Sequence, residues 1–279
     1  MATLLIGIMP RRQANRAALL FVVPLLIGAA PPPVPVIPVL PPSQRYDSCL
    51  ADAKRDPAAA FKAAEDWRAL GGGFPAEHCA AIALIGLKRY SEAAQRLEAL
   101  AGQMMGEPAE LRGDTLDQAG QAWLLAHQPD RAKTAFDAAL GFTPHNPEFL
   151  VDRSEALADG GHYWEAIDDL NRALEADPKN VDALVFRASA YRHVGGADAL
   201  ELAQADATHA LALSPNSVPG LLERGNIRRL RGDSAGAKAD WQRVIALAPQ
   251  SQAAQYARDN LAHIGDNPLL TGTPQTPPR

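Results

Sequence analysis

The chain has 279 residues, of which 47% are apolar, 6% aromatic and 21% charged, with a formal net charge of −5. That apolar share excludes a wholly disordered polymer, and the negative balance gives no electrostatic reason to bind a polyanion, so nucleic acid is not an expected partner. Few aromatics and abundant alanine suit helices that approach closely on small side chains, which points to an all-α fold.

The first segment differs from the rest. Arg11, Arg12 and Arg16 precede the uncharged run AALLFVVPLLIGAA, residues 17–30. A basic region followed by an apolar stretch is the layout of a secretory signal, so export to a periplasm is expected. The run is shorter than the ~20 residues a spanning helix needs, and Pro24 interrupts it. The small-residue cleavage pattern is poor, which leaves residues 1–30 readable either as a signal peptide or as a retained hydrophobic anchor, the one expected membrane contact. Met9 offers a second possible start. Without residues 1–30 the chain keeps 24 basic and 32 acidic residues, a net charge of −8. Residues 31–44 begin PPPVPVIPVLPP, a proline density that reads as an extended spacer. The tail, residues 265–279, reads as disordered for a similar reason.

Between spacer and tail the sequence repeats. Pro144, Pro178, Pro215 and Pro249 are spaced 34, 37 and 34 apart. Twelve residues before each stands an alanine: Ala132, Ala166, Ala203 and Ala237. Two after each comes Asn146, Asn180, Ser217 or Ser251, whose side chains can accept hydrogen bonds from the free amides at the start of a helix. The prolines therefore read as punctuation between helices. Trp164, Ile167, Leu170 and Leu174, three or four apart, predict the packing stripe of one of them.

A small residue, then alanine, a bulky residue four later and a closing proline resembles the tetratricopeptide repeat. Gly120, Ala132, Phe136 and Pro144 carry it first. Ser154, Ala166, Leu170 and Pro178 follow, then Ala188, Ala203, Ala207 and Pro215, then Gly225, Ala237, Trp241 and Pro249. The resemblance implies a right-handed α-solenoid of antiparallel helix pairs, with units at 113–144, 147–178, 181–215 and 218–249. Degenerate repeat-like helices precede them over 45–106, and a polar-backed capping helix closes the stack over 250–264. Three extra residues near GGADA in the third unit are expected in the turn between its helices.

Where the family pattern usually has leucine in the first helix, three units have Arg153, Arg187 and Arg224. Those units also carry Asp169, Asp206 and Asp240, nine residues before the closing proline. The first of the four has Ala119 and Ala135 at the two places, so both members are absent together. A buried arginine needs a partner, so structural ion pairs Arg153 with Asp169, Arg187 with Asp206 and Arg224 with Asp240 are predicted. Cys49 and Cys79 fall on neighbouring first helices in this register, and an isolated pair in an exported protein is expected to be joined.

Motifs for chemistry are missing. The chain has no phosphate-binding glycine loop, no HExxH, no GxSxG and no Cys-x-x-Cys, and its seven histidines lack metal-ligand spacing. No enzyme activity, cofactor or metal is expected. In the resembling family the first helices line a concave groove. The residues here at such places are Asp114, Asp117, Gln121 and Leu124, then Glu148, Val151 and Glu155, followed by Asp182, Val185, Ser189, Arg192, Leu222, Asn226 and Arg229. An acidic N-terminal half and a C-terminal half enriched in arginine are thus predicted. The places where chaperone-binding members clamp a terminal carboxylate read Val151, Glu155, Phe186, Pro219 and Glu223, which lack the required lysines and asparagines. The expected function is a non-catalytic scaffold of the cell envelope that binds a peptide or partner helix. The alternative is a structural or assembly subunit that uses its convex face or edges.

Overall fold

A computed structural model describes residues 42–264. The expected leader, most of the proline-rich spacer and the tail lie outside the described residues. Among those described there are thirteen helices and no strand. They are α1 (Pro42–Arg55), α2 (Pro57–Ala69), α3 (Gly73–Gly86), α4 (Tyr90–Gln103), α5 (Ala109–Leu125), α6 (Pro129–Phe142) and α7 (Pro147–Asp159). There follow α8 (Tyr163–Ala176), α9 (Val181–Val194), α10 (Ala197–Leu213), α11 (Val218–Leu230), α12 (Ser234–Leu247) and α13 (Gln252–Ala262). The spacer ends sooner than its proline content suggested, because Pro42 opens α1, and proline is tolerated where no amide need be donated.

Each odd-numbered helix up to α11 pairs with the next, and α13 closes the stack against α12. The odd helices also touch one another, α1 with α3, α5 with α7, α7 with α9, α9 with α11 and α11 with α13. They form one row along the stack, whose exposed side is the inner face. The four prolines stand two residues beyond the ends of α6, α8, α10 and α12. The polar residues that follow act as caps: Asn146 accepts from the amides of Glu148 and Phe149, Asn180 from Ala183, Ser217 from Gly220 and Ser251 from Ala254. In five of the six pairs the residue two before the second helix adopts a positive φ. Gly161, Gly195 and Gly232 do so freely, whereas Lys88 (φ 59°) and His127 (φ 56°) do so with a side chain attached.

The helices of a pair meet small against large. A Cβ on Gly120 would lie 2.5 Å from the Phe136 ring, and one on Gly225 would lie 2.5 Å from Trp241 Nε1. The third unit instead closes alanine on alanine, with Ala188, Ala203 and Ala207 in one buried cluster beside Ile227. Its extra residues are not in the turn, which holds only Gly195 and Gly196. They lengthen α10 to 17 residues against 14 in α6, α8 and α12. Ala, Asp and Leu at 197–200 are good enough helix formers or first-turn residues to extend the helix backwards, which saves backbone amides from an open loop. Trp164 also departs from expectation: it is 61% exposed, and the α8 stripe is made by Ala166, Ile167, Leu170, Ala173 and Leu174.

Arg153 reaches from α7 to Asp169 on α8 with two parallel bonds, Nε to Oδ2 at 2.7 Å and Nη2 to Oδ1 at 2.6 Å. Its third nitrogen donates to Asp137 on α6 at 2.7 Å. Arg187 repeats the arrangement with Asp206 at 2.8 and 2.7 Å and with Asn171 of α8 at 2.8 Å. Arg224 makes the paired bonds to Asp240 at 2.9 and 2.7 Å, and Arg228 adds a third at 2.7 Å. The acids are buried and the arginines about one-fifth exposed, so the guanidinium stems cover apolar surface while their planes meet carboxylates. Where α5 and α6 have alanines instead, Trp123 Nε1 donates to Glu98 of α4 at 2.8 Å. At the N-terminal end, Cys49 of α1 and Cys79 of α3 form a disulfide with Cα atoms 6.2 Å apart.

Two stability outcomes follow from this framework. Asp169→Ala leaves the Arg153 charge half-buried beside Asp137 alone and should cost about 3 kcal/mol. Asp168→Ala, on the exposed side of the same helix, should stay within about 0.5 kcal/mol of wild type. Equal urea midpoints for the two variants would remove the ion pair from the framework. Reducing the bridge across its 30-residue separation should lower stability by about 3.5 kcal/mol on the chain-entropy relation, read as a shift of the urea midpoint on adding a thiol.

Candidate functional site

The inner face is polar and uneven. On its N-terminal half, α5 and α7 bring Asp117, Gln121 and Asp152 together. The Gln121 amide donates to Asp117 Oδ2 at 2.9 Å and to Asp152 Oδ2 at 2.7 Å, so one amide bridges two carboxyls. Asp117 is 7% exposed, and its Oδ1 has no hydrogen-bond partner. Burial pushes its carboxyl up to about 8, aided by Asp152, then by Asp114 and Glu148. Burial also raises Asp152, and burial with Asp159 and Asp152 raises Glu155. An acid kept protonated by burial and by like neighbours is a site where a positive charge would be welcome.

The C-terminal half differs from the expected basic end. Arg192 of α9 donates to Glu223 of α11 at 2.5 Å and to Ser189 at 3.3 Å, so its charge is already matched by a buried acid. Arg229 is half-buried, with its Nε enclosed. The Asn226 carbonyl accepts from Asn260 of α13 at 2.9 Å, tying it to the capping helix. Val185, read as a groove residue, is only 6% exposed and belongs to the core with Val151, because α7 and α9 stack too closely for either side chain to reach the surface. Asp182 is exposed, while Ser189 and Leu222 are half-exposed. Ser189 lines a cavity of about 200 Å³ with Glu155, Tyr163, Phe186 and His193. Burial and the neighbouring Arg192 lower His193, which stacks on Tyr163 with ring centroids 4.9 Å apart.

No family model matches the chain. RNA polymerase II-associated protein 3 of Xenopus tropicalis is 34% identical over 109 residues, which are 38% of this chain and 16% of that protein. The chain therefore spans about a sixth of the length of that curated relative. Yeast Tom70 superposes with a TM-score of 0.60 at 14% identity, over 82% of this chain and 47% of that one. A tetratricopeptide repeat protein from Parabacteroides merdae gives 0.52 at 17% identity, over 80% and 75%. The fold is a tetratricopeptide-repeat solenoid.

In this solenoid the first helix of each pair supplies the inner face, so Asp114, Asp117, Gln121, Asp152 and Glu155 share one surface through the stacking of α5 on α7. The pairing of Asp117 with Asp152, and that of Arg192 with Glu223, join residues 31 or more apart on successive first helices. Sequence reasoning placed Asp117 and Arg192 on the groove but could not see either partner. The one available signal is a spacing near one repeat length, 35 and 31 residues.

Asp117 in the folded solenoid holds a proton up to about pH 8 that the unfolded chain releases near 4. Stability should therefore fall as pH rises through that window and level off above it. Asp117→Asn keeps an acceptor for Gln121 and removes the ionisable group. The variant should be more stable than wild type at pH 8.5 by roughly 1–3 kcal/mol and lose part of the slope between pH 5 and 8. Parallel pH profiles for the two proteins in urea denaturation would contradict this.

Proposed function

We propose that this solenoid is a non-catalytic scaffold of the protein-interaction kind, exported to the periplasm of a bacterial-type cell envelope, that holds a segment of a protein partner on its inner face. The observation that carries the binding reading is the unmatched acidic cluster around Asp117 and Asp152. A surface on which buried Asp117 keeps its proton beside Asp152, with only acids as charged neighbours, is energetically incomplete in the free protein. A structural role alone gives no reason to retain it, because replacing either acid by its amide would relieve the repulsion. Export is supported by the basic and apolar opening of the sequence and by the disulfide between Cys49 and Cys79, since such bonds persist in oxidising compartments.

A second reading, assembly through the outer surface, draws on Trp164, which stands 61% exposed on α8. Exposed tryptophans are frequent anchors of protein interfaces. The two readings separate by crosslinking and affinity recovery from envelope extract. Asp152→Lys gives the acidic cluster a counter-charge of its own, and it should reduce recovered partner at least tenfold while Trp164→Ala leaves recovery unchanged. The reverse pattern would transfer the function to the outer surface. A fused reporter active only outside the cytoplasm should be active, and its silence would refute export.

A further inference from the structure

At the N-terminal end of the inner face lies a cavity of about 380 Å³, enclosed by α1, α3, α5 and the end of α4. Phe74, Leu100, Met104 and Leu111 supply its apolar lining. Part of its polar lining is paired internally: the Tyr46 hydroxyl lies 2.8 Å from His78 Nδ1, and His78 Nε2 lies 2.6 Å from Gln118 Oε1, while Glu107 and Asp114 add two carboxylates. Because Gln118 Oε1 can only accept, His78 Nε2 carries the proton and Nδ1 accepts from Tyr46, which describes a neutral ring. Burial lowers the His78 pKa, in agreement. With Tyr46 and His78 paired to each other, an apolar side chain can pack against that wall without stranding their polar atoms.

Asp114 lines the cavity and also acts on Asp117, so cavity and acidic pair adjoin along α5. The charged neighbours acting on Asp117 are Asp114 on its own helix with Asp152 and Glu148 on α7, all acids. Its enclosed Oδ1 has no donor in the protein, while Asp152 is only partly buried and can be reached from the surface. A cavity that asks for hydrocarbon thus stands beside a carboxyl pair that asks for a cation. We propose that this paired site takes a cationic peptide segment of a protein partner, with a bulky apolar side chain in the cavity and a neighbouring lysine or arginine on Asp152 and Asp117. The assignment deepens the inner-face reading above and rests on it.

An array of random immobilised decapeptides tests it, probed with the full chain, with the Asp117→Asn, Asp152→Asn double variant and with Leu111→Trp. Leu111 is 46% exposed, so its replacement can narrow the cavity mouth without unfolding the helix. Circular dichroism checks all three folds, and the double variant relieves repulsion and should melt no lower than wild type. Wild type should retain peptides enriched in lysine or arginine next to leucine, phenylalanine or methionine, with at least a tenfold loss of signal in each variant. Retained peptides that are neutral or acidic, or signals that either variant leaves intact, overturn this assignment and leave the inner-face reading standing. An array that retains nothing overturns both.

Discussion

The stack depends on a guanidinium that touches three helices at once. Arg153 and Arg187 each hold the second helix of their own pair through two bonds and the second helix of the preceding pair through a third. A tetratricopeptide pair has little interior of its own, so the junction between pairs decides whether neighbouring units act as one body. Leucine at the same place would fill volume without direction. The planar fork of arginine fixes both distance and rotation, at the cost of burying acids that must never lose their partner. Where that device is missing, between α5 and α6, the bulk of Phe136 against Gly120 and the Trp123 bond to Glu98 take over.

Periodic features were legible because the repeat supplies its own control. Four prolines, four alanines and four capping residues recur in phase, and the joint absence of arginine and aspartate from one unit pairs the two positions without any second sequence. The 19-residue separation of Arg187 and Asp206, against 16 in the other two pairs, even absorbs the insertion. Features that depend on one unit facing the next were not legible. Val185 sits at a place that is open in an isolated hairpin and closed once α7 lies beside α9. Trp164 has helix spacing suited to the core stripe, but Ala166 and Ala173 take the close-approach places on α8 and the Trp164 ring meets solvent. The extra residues at GGADA suggest a longer turn, yet Gly195 and Gly196 suffice for that turn and the remainder continues the helix.

The inner face is assembled on opposite principles at its two ends. Toward α9 and α11, arginine and glutamate are matched and leave little electrostatic demand on a visitor. Toward α5 and α7, acids crowd acids, and the free protein tolerates them by keeping a proton. That cluster lies between the packed core around Trp123 and the Arg153 ion pair of the following unit. Proteins commonly hold such destabilised polar clusters at functional surfaces, and the surrounding framework makes this one affordable.

A linear stack has two ends, and each exposes a pair with a neighbour on one side only. At the C-terminal end α13 covers the last pair, with Ala254 and Ala257 buried and polar residues outward. At the N-terminal end the bond between Cys49 and Cys79 holds the first helix to the third. The molecule is thus secured by packing and the Asn260 to Asn226 hydrogen bond at one end and by oxidation at the other. A reductant would loosen it directionally, releasing α1 and with it the wall that carries Tyr46, while the arginine-pinned units downstream keep their order.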